Sequence, residues 1–194
     1  MMTCLHTADV HVATFGALLP AARHVVRADL LDRARVSGVE SVSDEVSSIL
    51  RELAASGPVL CTCSTLGPLV DALANPRIVR IDRPAMEAAI AQGGEVVVAI
   101  CLDSTRDATL ALFDTVAAGR AQAKLVLCDA AWPFFEAGDM AACAQAIADR
   151  VSGQGRRVLL AQASMAVAAP LLEAQGMTVF TTPKAAAEAV AALT

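Results

Sequence analysis

The residues of this chain best suited to chemistry lie in the stretch VLCTCSTLGP, where an apolar run ends in Cys61, Thr62, Cys63, Ser64 and Thr65 before Leu66, Gly67 and Pro68. Two thiols so placed can form a metal clip, a redox couple, a buried strand end or half of an active site. A metal site needs two more ligands; His6, His11 and His24 are available, but the spacing matches no common zinc pattern. Cys-x-Cys is also one residue shorter than the usual redox motif. Cys61 and Cys63 point the same way on one strand, with Cys61 deeper and suited to core packing. Cys63, at the end of the run, either packs at a strand end or is the candidate for an acid, base or nucleophile. Cys4, Cys101, Cys128 and Cys143 sit inside apolar segments and read as small hydrophobes. Lys124 and Lys184 are the only lysines, neither well placed for a Schiff base, and no Gly-x-Gly-x-x-Gly, phosphate loop or Gly-x-Ser-x-Gly elbow is present.

Bulk composition narrows the class further. The chain has 194 residues, of which 56% are hydrophobic and 18% charged, enough to bury one sizeable core or two smaller ones. A net charge of −5 with no basic run argues against nucleic acid as a partner. Apolar runs such as EVVVAICL are cut by polar residues before membrane-spanning length, and MMTCLHTADV lacks the pattern of a signal peptide. The expected location is cytoplasmic, where the thiols stay reduced and a disulfide framework is not expected.

Short apolar runs alternate with helical patterns along the whole chain. Strands are expected over 2–6, 24–28, 58–63, 77–82, 94–101, 124–128, 156–162 and 177–181. Helices are expected over 10–19, 43–56, 66–74, 84–92, 105–118, 138–152, 165–175 and 183–193. Ser43 followed by Asp44 and Glu45 reads as a helix start, and Pro84 and Pro183 suit a first helical turn. Nearly continuous apolar strands imply a parallel sheet covered on both faces, hence an α/β fold. The stretch 130–140, AAWPFFEAGDM, reads as a loop that walls a cleft or forms a subunit contact.

The chain also repeats itself at a separation near one hundred residues: LCTCST at 60–65 lies over LAQASM at 160–165, and IDRPAMEAAIA is echoed by TTPKAAAEAVA. Two similar halves, with ligands bound outside the carboxyl ends of strands, lead to the expectation of a cleft between them.

Two βα halves, a cysteine followed by Ser-Thr after the third strand, and a matching strand end one repeat later resemble the aspartate/glutamate/hydantoin racemase superfamily. That resemblance implies catalysis without a cofactor, by two thiols working on opposite faces of a substrate α-carbon. The first family motif, Cys-Asn-Thr, reads here as Cys63-Ser64-Thr65. The second, Gly-Cys-Thr-His, reads as Gln162-Ala163-Ser164-Met165, with Ala163 in place of the second thiol. The family's Asp-Ser-Gly reads as His6-Thr7-Ala8, and an imidazole there could activate Cys63 as a thiolate–imidazolium pair. Its Ala-Thr-x-x-Thr reads as Cys101-Leu102-Asp103-Ser104-Thr105. Ser104 and Thr105 on one side, and Ser64 and Thr65 on the other, would bind a carboxylate at helix openings.

Inverting a stereocentre requires one group to remove a proton and another to return one from the opposite side. Alanine can do neither. Unless Ser164 or a water substitutes, one-faced proton transfer, decarboxylation or isomerisation is therefore the expected chemistry. The implied architecture is two pseudo-symmetric α/β lobes, 1–92 with the carboxy-terminal helix 183–194 packed back on it, and 93–182. Cys63 and His6 are the expected catalytic residues, and Thr7, Ser64, Thr65, Ser104, Thr105, Gln162 and Ser164 the expected substrate contacts. No metal is expected, the ligand is a small carboxylate, and a homodimer or higher homo-oligomer is left open. The alternative is a catalytically reduced relative that binds a small metabolite or regulates.

Overall fold

The first two-fifths of the chain builds a sheet whose two central strands are entirely buried. In the computed structural model, which describes residues 1–194, β1 (Thr3–His6) is followed by α1 (Val10–Leu18), β2 (Arg23–Val26), α2 (Ala28–Ser37) and α3 (Ser43–Ser56). Next come β3 (Val59–Cys61), α4 (Gly67–Leu73) and β4 (Ile78–Arg80). The strands pair in parallel in the order β2-β1-β3-β4, with Leu5 opposite Cys61 and Cys61 opposite Arg80. One face of this sheet carries Leu5, Val59, Cys61 and Cys63. These side chains share an apolar cluster with Leu30 and Ala34 of α2, Val46, Leu50 and Ala54 of α3, and Leu69 and Val70 of α4. The spacing of Val46, Leu50 and Ala54 is one helical face, which is why α3 lies flat on the strands.

The second sheet repeats the plan. After α5 (Arg83–Ile90) come β5 (Gly94–Ile100), α6 (Arg106–Ala117), β6 (Ala121–Leu127), α7 (Trp132–Glu136), α8 (Met140–Val151), β7 (Arg157–Leu160), α9 (Ala169–Ala174) and β8 (Thr178–Thr181). Its strands are again all parallel, in the order β6-β5-β7-β8. Val96 to Ile100 are all buried, because helices cover both faces of the central strand. The side chains of Val97, Ala99 and Cys101 meet Cys143, Ile147 and Val151 of α8. The last helix, α10 (Thr182–Ala191), buries Ala186, Ala187 and Val190. The protein is thus an α/β fold of two four-stranded parallel sheets with one shared strand order, and the repeated segments 60–65 and 160–165 run from β3 and β7 into the turns beyond them.

Two compact units result: residues 1–81 with 183–194, and residues 82–182. The boundary therefore falls before α5 rather than at residue 92. Ala85, Met86, Ala89 and Ile90 are buried, and α5 packs on β5, β7, β8 and α6. Arg157 of β7 reinforces that packing by donating to the Ala89 carbonyl at 3.2 Å and to the Gly93 carbonyl.

Three local expectations change. Ser43 does not cap α3; the chain enters from a 3₁₀ turn over Val39–Val42, so Ser43 already lies inside the helix. Stretch 130–140 is not a loop throughout: Pro133 in the first turn supports the short α7. Helix α2 goes unread in the sequence because its charged residues leave only Leu30 and Ala34 buried.

Candidate functional site

Strand β3 ends at Cys61, and the chain stays extended through Cys63, whose φ and ψ are −113° and 112°, before turning tightly over Ser64–Leu66 into α4. The turn is closed by the Leu66 amide donating to the Cys63 carbonyl at 3.2 Å. Cys63 is 7% exposed and lies with Cys61 on the helix-covered apolar face of the sheet. Ser64 and Thr65, half-buried, follow it at the opening of the turn.

Thr62, between the two thiols, points to the opposite face by strand alternation. Its hydroxyl donates to the Leu5 carbonyl at 3.1 Å, and its backbone amide reaches the same oxygen at 2.9 Å. With its one proton committed to Leu5, the Thr62 oxygen accepts from His6 Nδ1 at 2.9 Å. In neutral His6 that leaves Nε2 as an acceptor, and His24 Nδ1 donates to it at 2.9 Å. Burial, aided by the neighbouring His24 and His11, lowers the His6 pKa to about 4. His6 is thus a neutral imidazole with both nitrogens engaged, on the face of the sheet opposite Cys63. The expected thiolate–imidazolium pair is not formed, and strand parity is the reason. Thr7, the next residue, is buried just beyond the strand end.

The second half places its corresponding residues at the ends of β5 and β7. Gln162 does not present its amide to a ligand; its Oε1 accepts from the backbone amides of Cys101 at 2.5 Å and Leu102 at 3.2 Å. The Thr105 hydroxyl is likewise taken, donating to the Leu102 carbonyl at 2.8 Å. Of the expected set in this half, Ser104 is exposed and Ser164 is 8% exposed. Ala163 occupies the position matching Cys63.

All six cysteines are buried. Burial pushes the thiols of Cys4 and Cys128 up to about 11 and that of Cys101 up to about 12, and raises Cys143 as well. With no cation bound these thiols are protonated at neutral pH, and Cys101, Cys128 and Cys143 act as packing.

Two features pass unread in the sequence. Arg80 ends β4 at 5% exposure, pairs with Asp71 of α4 at 2.6 Å, and lies against Gly67, where an added Cβ would come within 2.5 Å of its Nε. An arginine closing the apolar run RIVRID was the available signal. Second, Cys4, His6 and His24 place their ligand atoms within 4.8 Å of one another. The alternation Cys4-x-His6 on one strand would have pointed to it, had Cys4 not read as packing.

No family model matches the sequence, and no curated protein matches it. Solved structures do match. The Picrophilus torridus aspartate racemase superposes with a TM-score of 0.67 at 14% identity, over 97% of this chain and 91% of that one. A glutamate racemase from Thermus thermophilus gives 0.67 at 12% identity, over 98% and 78%. An arylmalonate decarboxylase gives 0.60 at 14% identity, over 100% and 92%. No helix is long and apolar enough to cross a membrane. The two parallel sheets and their helices thus have the fold seen in these racemase and decarboxylase structures.

Proposed function

We propose that this chain acts without a cofactor on a small carboxylate, with Cys63 exchanging a proton or forming a transient bond at one face of the substrate. The observation that carries this reading is the unequal pair of strand ends: Cys63 with Ser64 and Thr65 after β3, but Ala163 after β7. A racemase needs a group on each side of the α-carbon, and Ala163 offers neither acid nor base. One thiol suffices for a one-faced reaction. In decarboxylation the bond between the α-carbon and one carboxylate breaks, carbon dioxide leaves, the electron pair stays on carbon as an enediolate, and the Cys63 thiol delivers its proton there. In isomerisation the thiolate adds to an activated double bond, the new single bond rotates, and the same sulfur is expelled.

Ser64 and Thr65, at the turn into α4, serve as carboxylate contacts in this reading, with Thr7 beside them on the neighbouring strand end. His6 acts as a positioning residue that holds Thr62 and hence the strand end carrying Cys63.

A second reading rests on a specific observation: at 7% exposure Cys63 belongs to the apolar cluster with Leu66, Leu69 and Val70. That setting suits a small-metabolite-binding or regulatory relative that has given up turnover. Proton NMR in deuterated water separates the two, using aspartate, glutamate, hydantoins, substituted malonates and maleate with the protein and with Cys63→Ala. Deuterium uptake, decarboxylation or isomerisation that vanishes in the variant supports the thiol chemistry. No turnover of any compound, with binding shifts unaltered in the variant, refutes it and leaves the binding module.

A further inference from the structure

The face of the first sheet opposite Cys63 carries an arrangement of which the proposed reaction uses only His6, and that through its Nδ1. Cys4 and His6 are two residues apart on β1 and so project to the same side. His24 on β2 is the direct register partner of Cys4 and joins them there. The three ligand atoms lie within 4.8 Å of one another, and His6 Nε2 and His24 Nδ1 are 2.9 Å apart. Cys4 and His6 are fully buried and His24 is half-buried, so the cluster is closed on the strand side and open at His24. Helix α1 covers it with an apolar wall: the Phe15 ring centre is 5.7 Å from that of His6, and Gly16 passes beside His24.

We propose that Cys4, His6 and His24 form a binding site for a thiophilic d-block cation of the Zn²⁺ type. The donor set argues the class. One thiolate and two imidazoles suit borderline and soft cations, whereas Mg²⁺ and Ca²⁺ require oxygen ligands. Bond lengths of about 2.0–2.1 Å to nitrogen and about 2.3 Å to sulfur place tetrahedral ligand atoms roughly 3.3–3.6 Å apart. The two imidazole nitrogens therefore need to open by only a few tenths of an ångström, and the sulfur to move inward by about an ångström at most.

His6 would bind through Nε2, which is already a bare acceptor. Its Nδ1–H remains on Thr62, whose hydroxyl is held by the Leu5 carbonyl, so the outer hydrogen bonds that fix a metal-binding histidine are in place. His24 would bind through Nδ1 and carry its proton on Nε2 instead. The Cys4 S–H bond breaks, the sulfur keeps the electron pair for the metal, and the proton goes to solvent. Three protein ligands leave the fourth position to water or another small donor. Only His6 is shared with the proposed reaction, through its other ring nitrogen, and cation binding is read without turnover, so the two proposals can fail separately.

The test uses the full chain, freed of bound metal by a chelator and then titrated with Zn²⁺ against a chromophoric chelator and with Co²⁺ by absorption spectroscopy. One ion per chain is expected, with a sulfur-to-cobalt charge-transfer band that disappears in Cys4→Ala and persists in Cys63→Ala. His24→Gln, at a half-buried position, is expected to weaken Zn²⁺ binding by more than about 100-fold, since loss of an outer-shell partner alone costs about 10–100-fold. If Cys4→Ala fails to fold, the His24→Gln affinity decides. Substoichiometric binding, a band that survives in Cys4→Ala, a band lost in Cys63→Ala, or unchanged affinity in His24→Gln would each overturn the proposal.

Discussion

Two helical glycines test whether the packing around the Cys63 turn is as tight as its distances state. Gly67 opens α4 and Gly16 lies within α1, and neither has a left-handed backbone, so alanine is conformationally allowed at both. Replacing glycine by alanine in a helix favours folding by about 0.5–1 kcal/mol when nothing else intervenes. At Gly16 an added Cβ would meet only His24 Nε2 at 3.9 Å, an ordinary contact, so Gly16→Ala is expected to stabilise by that amount. At Gly67 the same methyl would come within 2.5 Å of Arg80 Nε and 2.6 Å of its Cζ.

Relief there requires the guanidinium to retreat by almost an ångström. Its Nη1 is 2.6 Å from Asp71 and its side chain is 4% exposed, so retreat stretches the ion pair with little solvent to replace it. Overpacking of this kind costs about 1–3 kcal/mol, and a weakened hydrogen bond to a charged group about 1.5–3 more. After subtracting the helix gain, Gly67→Ala is expected to destabilise by roughly 1.5–5.5 kcal/mol, read as a lower urea midpoint at an unchanged slope. A neutral or stabilising Gly67→Ala would refute the claim that Arg80 is locked beneath the turn.

Alkylation followed by peptide mass mapping between pH 7 and 9 should label Cys63 before Cys101 and Cys128, whose thiols, pushed up to about 12 and 11, are almost wholly protonated in that range. Faster labelling of either would contradict their burial. Gln162→Met keeps the length of the side chain but removes the acceptor for the Cys101 and Leu102 amides, and should cost roughly 2–4 kcal/mol by chemical denaturation. A cost below that range would mean that water reaches these amides. Asp139 caps α8 by accepting from the Ala142 amide at 3.0 Å, so Asp139→Ala should lower stability by about 1 kcal/mol, with Asp139→Asn recovering most of it.

The regular alternation of apolar runs and helical patterns made all eight strands and the two-sheet architecture legible, because strands buried on both faces leave an unbroken apolar signature. Helix α2 escaped because ADLLDRARVS buries only Leu30 and Ala34, too little contrast against its charges. In the site, the position of Cys63 was readable from the end of the apolar run. The roles of His6 and Gln162 were not. Residue type marks both as reactive or polar, but alternation about the strand sends Thr62 and His6 to one face and Cys63 to the other. Gln162 is spent on amides that only the paired strand end brings within reach. Cys4 looked like packing because its partner His24 adjoins it through strand register, which sequence separation hides.

The two halves share a mechanical device and differ in the chemistry beside it. Position 62 fastens the end of β3 to β1 through the Leu5 carbonyl and His6, and position 162 fastens the end of β7 to the amides just beyond β5. Either latch fixes where the next residue along the chain must sit. In the first half that residue is a thiol and in the second a methyl group. The Gln162 clamp holds the strand end in place, but it cannot by itself move a proton. In the proposed reaction only the first of these two strand ends supplies a reactive atom. Restoring a thiol by Ala163→Cys supplies the direct check on that logic. If the latch holds the strand end in place, the variant should gain exchange of the substrate α-proton with inversion, whereas a reaction unchanged in stereochemistry would show that position 163 does not face the substrate.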